Sequence, residues 1–171
     1  MSELEQALHS YDGRAVSVLS EIRAKFAQNE GFYAQLISLI DSPEGFISDG
    51  TTWLIKECVE TGAELNEQHV ANLVQRLDGI STWPAVLHLC QSARHIDFSS
   101  KQAIEFGRWA YNFVSHERPF VRAWSMDALQ HVAQSAPPLM PLAGAALSAA
   151  LEDPAASVRA RAKCHVKSDH N

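Results

Sequence analysis

Leu36, Leu73, Ala110 and Leu147 stand 37 residues apart, and each is followed four positions later by another apolar residue: Ile40, Leu77, Val114 and Leu151. A polar or acidic residue comes next, at Asp41, Asp78, Ser115 and Glu152. A unit this short cannot bury its own apolar face. It must stack on its neighbours, and such a stack is a helical solenoid. Strand signals are scarce, with few Val/Ile/Thr alternations and no Asn-Gly or Asp-Gly turn between two such runs. The period therefore predicts an all-α chain.

Local punctuation places the helices. Asp12 is expected to cap a first helix whose apolar face runs through Val16, Leu19, Ile22 or Arg23, and Phe26. A second helix carries Phe32, Leu36, Leu39 and Ile40 and breaks at Ser42-Pro43; a third runs from about Asp49 to a stop at Gly62. Asn66 caps the next, which Gly79 closes, and Pro84 sits in the first turn of its partner. Ser99 or Ser100 opens a helix through Ile104, Trp109, Phe113 and Val114, and Pro119 starts its partner. The last pair covers about 138–151 and 154–166. The chain reads as one domain, 1–171, of four helical hairpins (30–62, 66–95, 99–135 and 138–166) after an N-terminal helix. Gly107 and Gly144, also 37 apart, suggest close helix approach at one register position.

The 46% hydrophobic content is too high for wholesale disorder. A net charge of −6 argues against a general nucleic-acid binder, which needs a basic footprint. The charge is uneven: residues 1–85 carry five Lys/Arg and thirteen Asp/Glu, giving −8, while residues 86–171 carry nine and seven, giving +2. Cys58, Cys90 and Cys164 are odd in number and widely spaced, which fits reduced thiols. With an acidic start, Met1-Ser-Glu-Leu-Glu, and no membrane-length apolar run, the expected setting is cytoplasmic.

His116-Glu-Arg-Pro-Phe-Val121-Arg122-Ala-Trp-Ser and Asp153-Pro-Ala-Ala-Ser-Val158-Arg159-Ala-Arg-Ala align over ten residues at the same 37-residue offset. A turn proline, then Val-Arg, then a small residue resembles the HEAT-repeat family of α-solenoids. The resemblance implies a right-handed α-α superhelix whose second helices line a concave face. It also implies that Arg122 and Arg159 belong to an inter-repeat ladder, with Asp153 as a partner. The match covers 99–166; in 30–95 only the period is kept, and Leu87 stands where the second hairpin would carry its arginine.

Trp53, Trp83 and Trp124 fall in or at the start of second helices, with Lys56, His88, Asp127 and His131 on the same segments. Trp and Arg dominate interface energetics, so these seven are the candidate contacts for a protein or peptide partner. Trp109, in a first helix, reads as core or convex surface. The more ordinary reading of each Trp is packing, and of Asp127 a solvated helix residue. No Gly-rich phosphate loop, nucleophile elbow or H-E-x-x-H motif is present, so neither catalysis nor a cofactor is expected. His88 and Cys90 are two apart and His88 and His95 seven apart, spacings unsuited to one metal ion.

Three alternatives differ in class. Some alkylpurine DNA glycosylases are built of HEAT-like repeats with Trp, Asp and Arg in the groove, and Arg122, Trp124 and Asp127 are close in sequence; the acidic balance speaks against it. An acidic, antitoxin-like inhibitor could use the −8 half against a basic protein. A structural subunit could pair copies through the nearly uncharged 137–151 segment, leaving monomer and homodimer both open.

Overall fold

The start and stop signals act where they stand. Asn66 Oδ1 accepts the His69 N–H at 2.8 Å, opening a helix over Glu67–Arg76. Ser99 Oγ accepts the Gln102 N–H at 3.2 Å while the Gln102 side chain accepts the Ser99 N–H at 2.9 Å, a reciprocal capping box. Gly62, at φ +103°, closes the helix that ends at Glu60. Its N–H reaches Val59 O and the Ala63 N–H reaches Cys58 O, the paired bonds of a Schellman end.

The computed structural model describes residues 1–168, and these hold ten α-helices and no strand. They are α1 (Glu3–Leu8), α2 (Val16–Phe26), α3 (Phe32–Leu39), α4 (Ile47–Glu60), α5 (Glu67–Arg76), α6 (Trp83–Ser92), α7 (Ser100–Tyr111), α8 (Pro119–Ala133), α9 (Met140–Leu151) and α10 (Ala156–Ser168). Short 3-10 turns end α5 and α6 and precede α9. No helix among the described residues is long and apolar enough to cross a membrane.

The chain divides into two compact units, Met1–Asp97 and the residues from Phe98 onward. In the first, α3 packs on α4 and on α5, and the second helices α4 and α6 lie side by side. In the other, α7 packs on α8, α9 on α10, and α8 beside α10. The periodic positions are core in both: Leu36, Leu73 and Ala110 are fully buried, as are Ile40 and Leu77. Burying each such Leu or Ile is worth about 1.5–3 kcal/mol. Leu147 and Leu151 keep the period but stay half-exposed, although α9 packs on both α8 and α10.

Some expectations are corrected. A helix, α1, precedes the expected first one; Ser2 caps it through the Glu5 N–H, and Leu4 and Leu8 anchor it. Two apolar anchors in six residues are too few to show a period. Asp12 does not cap α2: its Oδ1 accepts the N–H groups of Arg14 and Ala15 and shapes the turn ahead of the helix. Phe113 and Val114 lie beyond α7, in the turn that follows Tyr111. Trp109 is core, 5% exposed, in an aromatic string with Phe106 (5.4 Å) and Phe113 (5.1 Å).

The two register glycines separate. A Cβ on Gly107 would collide with Leu139 Cδ1 and come within 3.2 Å of Val132 Cγ2, so a side chain there would force its neighbours to shift. A Cβ on Gly144 would meet nothing within 4 Å, so the expected close approach is absent.

Candidate functional site

Parallel second helices make residues about 37 apart lateral neighbours, and that rule assembles the candidate side chains. In Met1–Asp97, Thr52 on α4 faces His88 on α6, with Oγ1 and Nδ1 3.0 Å apart. Burial, with the nearby Lys56 charge, pushes the His88 pKa down to about 4. The ring is neutral at pH 7, so it acts as a hydrogen-bonding and packing group.

Lys56 Nζ lies 3.1 Å from Glu57 Oε1 and 3.0 Å from Glu60 Oε2. Burial works against the ammonium, but its bonds to Glu60 and Glu57 outweigh that and raise its pKa above the ordinary lysine range. Trp53 is half-buried and lines a cleft of about 310 Å³ between α2 and α4, with Arg23, Gln28 and Glu57 around it. Arg23 is steadied there by a 2.5 Å bond to the Thr61 hydroxyl. Trp83 is 41% exposed at the start of α6.

Asp49, in the first turn of α4, is buried against α6, where the Thr82 hydroxyl donates to its Oδ1. Burial raises its pKa and the Thr82 bond opposes the rise. A polar residue three positions into a helix gave no sign in the sequence that it would sit inward.

In the unit from Phe98, α8 and α10 build a second constellation. The Arg161 guanidinium stacks over the Trp124 ring, 4.0 Å from carbon to centroid. Asp127 is 2% exposed, so the solvated reading is corrected. Its Oδ1 accepts from His165 Nε2 at 2.9 Å and lies 3.7 Å from Arg161 Nη1. His131 is half-buried one turn further along α8. Arg161 and His165 were missed, yet a signal existed: Arg161 lies 37 residues after Trp124 and His165 38 after Asp127.

The ladder residues also meet. Arg122 Nε bonds Asp153 Oδ2 at 2.8 Å and Nη2 bonds Oδ1 at 2.9 Å. Arg122 Nη1 donates to His116 O and Glu117 O, and Arg159 Nη1 donates to Asp153 O and Pro154 O, the same two offsets one repeat later. Arg159 thus ties its own turn through carbonyls. The fork between Arg122 and Asp153 raises the arginine pKa and lowers that of the carboxyl.

Among the described residues, no three His, Cys, Asp or Glu gather as a metal site would need. No known family, curated protein or solved structure matches the chain.

Proposed function

We propose that the chain is a HEAT-like helical-repeat module that binds a protein or peptide through its second helices, the concave face of such a stack. The observation that supports this most is Trp53. It is half-buried at the wall of an open cleft, with Arg23 and Glu57 offering opposite charges beside an aromatic surface. Trp83 and the Arg161-covered Trp124 extend the same chemistry to the other second helices. Aromatic anchors ringed by charged groups are the usual make-up of an interface centre.

The glycosylase alternative loses support. Arg122 is spent on Asp153, and Asp127 is enclosed by His165 and Arg161 of its own chain. Neither group is presented to a substrate.

Affinity capture from native lysate, at low and moderate salt, tests the proposal. Wild-type chain should enrich one protein that a W53A/W124A double variant loses. Recovery of nucleic acid that elutes steeply with salt would overturn it in favour of a DNA-binding role.

A further inference from the structure

Three large hydrophobic side chains that stand exposed, Phe46 (47%), Trp83 (41%) and Phe120 (63%), fall 37 residues apart. Each opens a second helix: Phe46 is the N-cap residue of α4, Trp83 the first residue of α6 and Phe120 the second of α8. Large aromatic residues are ordinarily buried for most of their area. An aromatic residue kept at the surface in three hairpins, at one register position, is not there to fill the core. Exposed apolar side chains concentrated in this way mark a contact surface.

Within Met1–Asp97 two of the three share an edge. The Thr82 hydroxyl binds Asp49, so the residue just before Trp83 is joined to the first turn of the helix that Phe46 caps. Tyr11 stands edge-on to Phe46 at 6.4 Å, and Gly13 lies so close that a Cβ there would come within 2.7 Å of the Phe46 ring. The turn 11–13 therefore backs the Phe46 ring.

The surrounding charge is acidic. Asp12, Glu44 and Asp78 are exposed in the three turns that form this edge, against Arg14. Glu44 keeps 66% of its side chain exposed beside His9, and Asp41 is already paired with Arg76. The unit as a whole has six Lys/Arg and fourteen Asp/Glu, a charge of −8. Phe120 stands in a unit with eight and six, a charge of +2.

We propose that Tyr11, Phe46 and Trp83, flanked by Asp12, Glu44 and Asp78, form a docking surface for an arginine-rich segment of a basic partner protein. A guanidinium is planar and weakly hydrated, so it stacks on an aromatic face while its N–H fork meets a carboxylate; an ammonium does neither as well. Aromatic faces set among carboxylates therefore select arginine over lysine. Trp83 is shared with the face proposed above, but Tyr11 and Phe46 are not among its contacts, so F46A tests this surface apart from that reading.

An alternating Gly-Arg peptide, with lysine and citrulline counterparts, is titrated into the full chain by calorimetry. The arginine peptide should bind more tightly than the lysine one, and raising salt from about 50 to about 300 mM should weaken it several-fold. F46A and W83A should each lower affinity about fivefold, the scale of one stacked cation. F46Y and W83F should keep most of it, which separates lost stacking from lost folding. W53A and F120A should bind as wild type does. Equal binding of the citrulline peptide, unchanged affinity in F46A and W83A, or an equal loss in F120A would overturn the inference. So would a self-association that F46A abolishes without any peptide binding, which would make the occupant a second copy.

Discussion

Arg122 and Asp153 form a two-pronged ion pair, with N–O distances of 2.8 and 2.9 Å, that ties the turn before α10 to the first turns of α8. The same guanidinium holds the His116 and Glu117 carbonyls, and Asp153 accepts the Ala155 N–H at 2.8 Å. One side chain thus fixes two turns. Charge-assisted bonds of this kind are worth about 1.5–3 kcal/mol, so R122A should cost about 2 kcal/mol in urea unfolding, and R122K most of that because the fork is lost. Asp153 has its pKa lowered from 3.8, so its contribution is complete above that value and fades as pH falls below it. D153N should remove that part of the acid sensitivity.

His88 gives a different pH signature. Its folded pKa of about 4 lies below the unfolded 6.5, so the unfolded chain gains a proton first as pH falls. Stability should be full above about pH 6.5 and decline down to about pH 4, by roughly 2–3 kcal/mol. Asp49, with its pKa raised, takes up its proton in the folded chain first and offsets part of the loss at the acid end. H88Q should flatten the decline, measured as unfolding midpoint against pH. An undiminished slope in that variant would assign it to other groups.

Gly107 and Gly144 look alike in the sequence and should respond oppositely to alanine. At Gly144 the added methyl meets nothing, so G144A should stabilise by about 0.5–1 kcal/mol through helix propensity. At Gly107 it drives into the Cδ1 end of Leu139, which is 1% exposed, so that buried side chain must shift among packed neighbours. Overpacking of that kind costs about 1–3 kcal/mol and outweighs the propensity gain. Thermal melts of the two variants should shift in opposite directions.

That pair shows how much the sequence discloses. The 37-residue period locates the buried faces of α3, α5 and α7, and caps such as Asn66 and Ser99 mark helix starts, because both signals are local or repeat. What sits on the other side of a residue is neither. Gly107 meets Leu139 and Gly144 meets open space, and no local pattern distinguishes them. Asp127 looked solvated because its partners, Arg161 and His165, lie a full repeat away. The exposed register of Phe46, Trp83 and Phe120 was written in the sequence, but only solvent exposure separates it from core aromatics such as Trp109.

Thr51 is fully buried and its hydroxyl has no hydrogen-bond partner among the described residues. An unpaired buried hydroxyl costs about 1–3 kcal/mol, so T51V, which keeps the shape and replaces the hydroxyl with a methyl, should stabilise the chain by about 1 kcal/mol. Chemical denaturation with an unchanged m-value would confirm that only stability moved.

The second helices are the proposed binding face. The decisive measurement is the dissociation constant of the captured partner for wild type and for alanine variants at Trp53, Lys56, Trp83, His88, Trp124, Asp127 and His131, each checked for folding. Affinity should fall about tenfold or more at Trp53 and at Trp124, as for aromatic anchors. Affinities within about twofold of wild type at all seven positions, in folded variants, would contradict it and place the partner on another face.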